Sequence, residues 1–337
     1  MNVKSDLSST STIRSGGEGG CLRAAYQLLS PFIGLLVVIV IFSILAPESF
    51  LSVRNMEKVA VQTVVVGLGA IGMTFVIISG GIDLSVGSVI ALACTVTGWS
   101  LDKGASTPVA LLCGAGSGVL CGLVNGLAVT LLRIAPFIVT LGMLGIARGL
   151  AKGISGQQPI RVDPEASSWF SSDWLLDRDW FLTAPATWFM IGAALFCGFV
   201  LRNTAFGIYT FAIGSNEQTA RLCGVPVRTM KVLIYVTCGL FAGLAGVALF
   251  GRLGIGDPTA AAGMELEIIA AVVIGGASLT GGKGRILGTI IGVFMLTLLV
   301  TGCNLYGAAN YVQEILIGLI IVIAVSIDSL RHRRTSD

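Results

Sequence analysis

The chain has 337 residues, of which 54% are hydrophobic and 12% charged, against about 25% charged in an ordinary soluble domain. That polar content cannot cover a water-exposed surface, so the bulk of the chain faces lipid and no sizeable soluble domain fits. The net charge of +3 comes from single basic residues at segment ends, which excludes a nucleic-acid groove. The first 30 residues are polar and read as a cytoplasmic N-terminal tail; the apolar run after them lacks a small-residue cleavage pattern, so no signal peptide is removed. Apolar runs bounded by Gly, Pro or charge then predict ten spans, at 31–46, 59–79, 84–100, 108–131, 134–152, 185–201, 230–250, 266–280, 286–303 and 311–328. They predict an all-α polytopic membrane protein of about ten transmembrane helices with cytoplasmic N- and C-termini. In that orientation 13 of the 21 basic residues lie inside, as the positive-inside rule requires. The transmembrane domain covers 31–330, with an outer insert at 153–184, an inner loop at 202–231 and a cytoplasmic tail at 331–337. The insert carries five carboxylates with Trp169, Trp174 and Trp180, the pattern of an amphipathic segment at the outer interface.

Gly114, Gly118, Gly122 and Gly126 recur every fourth position, as do Gly145, Gly149 and Gly153. In lipid such ridges let helix backbones approach. Gly67-Leu-Gly69-Ala-Ile-Gly72 matches a dinucleotide fingerprint but lies inside a spanning run, so it reads as packing. Gly281-Gly282-Lys283-Gly284 resembles a phosphate loop yet has Gly284 where Ser or Thr must reach magnesium, and Ala277 where its first glycine belongs. The chain therefore has no ATPase site of its own. The eight cysteines form no C-x-x-C pair, and the single histidine, His332, sits in the basic tail. Neither a metal site nor histidine-based catalysis is predicted.

Ionisable groups at membrane depth imply a partner or a water-filled path. Asp83, in Gly80-Gly81-Ile-Asp83-Leu-Ser85-Val-Gly87-Ser88, joins two apolar runs with no proper loop between them. It reads either as an N-cap on a tight cytoplasmic turn or as a broken helix lining the solute path or its inner gate. In both readings Ser85 and Ser88 can bond back to the backbone. Gly275-Gly276-Ala-Ser278-Leu-Thr280-Gly281-Gly282 repeats the pattern 195 residues on, as paired helix breaks do in duplicated transporters. Both breaks are expected to line one route, with Asp83, Ser85, Ser88, Asn125, Thr140, Ser278 and Thr280 as pathway or gate residues. Asn125 also reads as interhelical glue, Arg148 as a side chain snorkelling to the outer interface, and Glu265 and Glu267 as N-terminal carboxylates of the eighth span. In the inner loop, the run from Gly214 to Pro226 reads as a cap at Ser215 or Asn216, a two-turn helix and a glycine stop, exposed and basic as a docking surface would be.

Taken together, Gly80 to Ser88, Val124-Asn125-Gly126, Pro136 to Gly142 with Arg148-Gly149, Ala212 to Val225, and Glu265 to Gly284 resemble the permease subunits of bacterial ABC importers for monosaccharides, the ribose-type branch. The resemblance covers about 31–330. It implies a multi-pass protein of the inner membrane, a partner ABC ATPase holding ATP and magnesium, a periplasmic sugar-binding protein and a second permease chain, a homodimer in preference to a heterodimer. No cofactor is then bound by this chain. The resemblance also makes Asn216, Glu217, Ala220, Arg221 and Gly224 a coupling helix seated on the ATPase. Gly224 lies seven residues after Glu217, which departs from the E-A-A-x-x-x-G spacing of other importers. An ion-coupled secondary transporter of a small polar solute is the rival reading.

Overall fold

A computed structural model describes residues 32–47, 49–162 and 185–336. The tryptophan-rich part of the outer insert and the N-terminal tail lie outside the described residues. In chain order the elements are α1 (Phe32–Leu45), α2 (Val53–Ile78), α3 (Val86–Asp102), α4 (Thr107–Leu131), α5 (Pro136–Ile154), β1 (Ile160–Arg161) and α6 (Pro185–Asn203). They are followed by α7 (Ala205–Ser215), α8 (Glu217–Leu222), α9 (Val227–Leu253), β2 (Ile255–Gly256), α10 (Met264–Ile274), α11 (Ile286–Tyr306) and α12 (Asn310–Ser336).

Local chemistry sets the ends. The Ser52 hydroxyl accepts the Asn55 N–H at 3.3 Å and starts α2, and Pro opens α4 and α5, where its missing N–H costs nothing. Gly254 and Gly307 close α9 and α11 in the left-handed region. Burial then separates the centre from the lipid face. The apolar window of α2 is 89% buried, whereas those of α5 and α6 are 22% buried, so α2 is a core helix and the other two face lipid.

Among the described residues six helices are long and apolar enough to cross a bilayer. The expected eighth span is shorter than anticipated, because α10 has 11 residues and reaches about 16 Å, half of a hydrocarbon core. Irregular chain before it and the Gly275-Gly276 break after it make up the difference. A further helix, α7, occupies what read as loop, and the all-α expectation misses one antiparallel pairing, Ile160 opposite Gly256.

The first glycine ridge lies on α9. A Cβ at Gly118 would overlap the Gly239 backbone, one at Gly122 the Tyr235 carbonyl, and one at Gly126 would stand 2.8 Å from the Val232 Cα. Gly114 faces Thr97 of α3 and Val247 of α9. The second ridge differs. Nothing lies within 4 Å of a Cβ built on Gly145, Gly149 or Gly153, so it packs no helix among the described residues. Gly67, Gly69 and Gly72 meet Met190, Ile268 and Cys238 inside the bundle, which leaves no cradle for a phosphate.

Candidate functional site

Between α2 and α3 the chain breaks at Gly80, whose φ of 79° is open to glycine without strain. Asp83 follows, 3% exposed. Its Oδ1 accepts the Ser85 N–H at 2.8 Å and the Ser85 hydroxyl at 2.6 Å. Asn125 of α4 donates to the Ser85 oxygen at 3.0 Å, and the Thr140 hydroxyl of α5 lies 3.3 Å from the Ile82 carbonyl and 3.0 Å from that of Pro136. Four of the residues singled out in the sequence therefore meet at one break. Ser88 is buried too, but its hydroxyl has no hydrogen-bond partner among the described residues, so the expected back-bond is absent.

Tyr235, 2% exposed, was not singled out. Its Oη stands 2.8 Å from where a Gly81 Cβ would be, again with no partner among the described residues. Only contact with a break 154 positions away in the chain marks it, and no local pattern carries that. Because the hydroxyl is already buried and unpaired, Tyr235→Phe is expected to leave the melting temperature in detergent unchanged or raise it. A clear fall would show that the hydroxyl has a partner.

The second break, after α10, holds Gly276, Gly281 and Gly282 at φ of 94°, 86° and 72°. Ser278 and Thr280 exchange a hydroxyl hydrogen bond of 2.8 Å, and the Ser278 N–H donates to Lys283 O at 3.1 Å. The two breaks meet through backbone: the Gly282 N–H donates to the Ile78 carbonyl at 2.8 Å. Gly214 sits at the same junction, where an added Cβ would overlap the Ile78 carbonyl and stand 2.6 Å from the Gly282 nitrogen.

Two residues after Gly214 comes the N-cap of α8, with the Thr219 N–H donating to Asn216 Oδ1 at 2.9 Å. Ala220 is buried against Ile213, Val227 and Met230, and Gly224, at φ 82°, takes the left-handed stop. Glu217 bonds Arg221 one turn on at 3.0 Å and Lys231 of α9 at 2.6 Å. The Lys231 bond holds the Glu217 carboxyl below its ordinary 4.5, against partial burial. A depressed carboxyl stabilises the fold above its unfolded value and loses that contribution as pH falls through the folded one. The stability advantage of the wild type over Glu217→Gln, at most about 1 kcal/mol for so exposed a pair, is therefore expected at neutral pH and should shrink below pH 4.5. Thermal unfolding across pH checks this.

Arg148 does not snorkel outward. Its guanidinium donates to the carbonyls of Pro258 and Ala260 at 3.0 and 2.7 Å. Glu265 and Glu267 lie in the first turn of α10. Among the described residues no cluster of His, Cys, Asp or Glu could hold a metal ion.

Buried polar breaks within a lipid-facing bundle define a membrane permease. Residues 55–325 match the family described as branched-chain amino acid transport system / permease component, and the chain belongs to that family. It is 41% identical over 303 residues to the ribose import permease protein RbsC of Bacillus subtilis (strain 168), covering 90% of this chain and 92% of that protein. The same-named protein of Escherichia coli (strain K12) is 38% identical over 304 residues, 89% of this chain and 93% of the relative. The fructose import permease protein FrcC of Rhizobium meliloti is 35% identical over 304 residues, 88% and 84% of the two chains. No solved structure matches.

Proposed function

We propose that this chain is the inner-membrane permease subunit of an ABC importer and passes a monosaccharide of the ribose type, driven by ATP hydrolysis in a separate subunit. Relatives named for ribose, fructose and L-arabinose import support the sugar. One observation carries the mechanism: Gly214 joins the exposed helix α8 to both breaks through backbone contacts at Ile78 and Gly282. Leu222, at the end of α8, is 88% exposed, and an apolar side chain presented to water beside Arg221 suits a protein partner. The loop 202–231 is then the seat of the ATPase. Closure of two ATPases on ATP shifts α8, and Gly214 passes the shift to the breaks that hold Asp83 and Ser278, exchanging outward-open and inward-open packings. Two identical permease chains complete the transporter, a periplasmic binding protein delivers the sugar, and ATP and magnesium stay in the ATPase. The tail 1–30 and residues 331–337 lie in the cytoplasm. The relatives named as import permeases favour this reading over an ion-coupled transporter.

Reconstitution in liposomes with the ATPase and the binding protein tests the reading. Ribose should accumulate only with ATP, and Leu222→Glu should lose co-purification of the ATPase. Uphill uptake without the ATPase would overturn it.

A further inference from the structure

α3 and the chain after β2 run side by side. Gly98 lies against Gly256, and Gly87 against Ala261 and Glu265. These points are about 16 Å apart along α3 at 1.5 Å per residue, and residues 257–263 cover that distance without helix or strand. α3 is itself packed among spanning helices, with Gly114 of α4 against Thr97 and Gly246 of α9 against Ile90. The irregular segment therefore lies within the bilayer thickness, and its Ala261 end sits beside Gly87, four residues after Asp83.

Irregular backbone at that depth is stable only where protein buries it or water reaches it. One side of the segment is buried on α3 and tied by Arg148 to α5. The other is open, with Thr259, Ala262 and Gly263 exposed. The N–H groups of Ala261, Ala262 and Gly263 have no hydrogen-bond partner among the described residues. Two buried carboxylate oxygens nearby lack one as well: Glu265 Oε2, beside Gly87, and Glu267 Oε1, one turn along α10 from Gly263. Acyl chains offer nothing to any of these groups. Hydroxyl groups, each a donor and an acceptor, answer both sets at once.

We propose that residues 257–263, positioned by Arg148, form a polyol-binding wall of the solute route alongside α3, with the Ala261–Gly263 amides and Glu267 contacting sugar hydroxyls. The assignment rests on the sugar-permease reading above. It gives Arg148 a positioning role: the guanidinium holds two carbonyls, and thereby aims the three amides into the route.

The test uses the full transporter in proteoliposomes, with cysteine placed at Ala262 or, separately, at Thr259, and at Leu195 of α6 as the lipid-facing control, 71% exposed. A charged, membrane-impermeant thiol reagent should modify Ala262→Cys and Thr259→Cys at least about tenfold faster than Leu195→Cys, and ribose should slow the reaction at the first two. Adding Arg148→Met should abolish ribose protection, and Arg148→Lys should restore it. Reaction of both positions only with an apolar reagent, as at Leu195→Cys, would overturn the wall assignment even where ribose uptake is intact. Reaction with the charged reagent, unaffected by ribose but slowed by another transported polyol, would uphold the wall and overturn the ribose reading instead.

Discussion

Replacing Gly214 by valine is expected to abolish ATP-driven uptake while the chain still inserts in the membrane. The Cβ alone overlaps the Ile78 carbonyl and comes within 2.6 Å of the Gly282 nitrogen. Both neighbours are backbone, so no side chain can turn away, and the conflict opens the Gly282 N–H to Ile78 carbonyl bond that closes the two breaks on each other. Overpacking of this kind costs about 1–3 kcal/mol, enough to shift a two-state gate by a factor of roughly 5 to 150. The two readouts are uptake and the stimulation of ATP hydrolysis by the loaded binding protein; loss of both, with normal membrane insertion, is the expected result. Wild-type uptake in Gly214→Val would remove the link from α8 to the breaks. Substitution of Gly224 tests the neighbouring stop differently. There the surroundings are open, and the penalty comes from the left-handed φ of 82°, about 1 kcal/mol for alanine.

Asp83→Ala carries the other large expected effect, this time on stability as well as transport. The carboxylate is the acceptor for the Ser85 N–H and hydroxyl, and Ser85 in turn accepts from Asn125. Removing it strands buried donors at about 1–3 kcal/mol each, so the melting temperature of the purified protein should fall clearly and uptake should be lost. Asp83→Asn keeps an acceptor oxygen and should fall between the two. An alanine variant with unchanged melting and uptake would show that the α2–α3 break stands without its carboxylate.

Much of the fold was legible because lipid enforces a simple rule: a spanning helix is a long apolar run. The expected spans at 108–131 and 286–303 differ from α4 and α11 by three residues or fewer at each end. The rule failed at 266–280, because hydropathy does not register whether an apolar residue is helical: α10 ends at Ile274 and the residues after it turn at Gly276. The glycine spacing of Gly114 to Gly126 pointed to close packing for the same reason that small residues work in lipid, but identical spacing at Gly145 and Gly149 leads to open space. Periodicity shows which face is smooth and not what stands against it.

Asp83, Ser85, Asn125 and Thr140 could be picked out because polar atoms inside apolar runs are costly wherever they fall. Tyr235, Gly214 and the true role of Arg148 could not, since each acquires its meaning from a partner far away in the chain.

By itself the sequence determined that this is a lipid-embedded helical permease with two glycine breaks and a short capped helix, because composition, span length and capping are local consequences of transfer free energy and backbone hydrogen bonding. Only the tertiary structure decided that the breaks meet at Ile78 and Gly282, that Gly214 wedges between them, and that Arg148 ties down the non-helical segment at Pro258 and Ala260. Those contacts depend on which backbones approach closely enough to exclude a Cβ, a property of packed helices that no stretch of chain possesses alone.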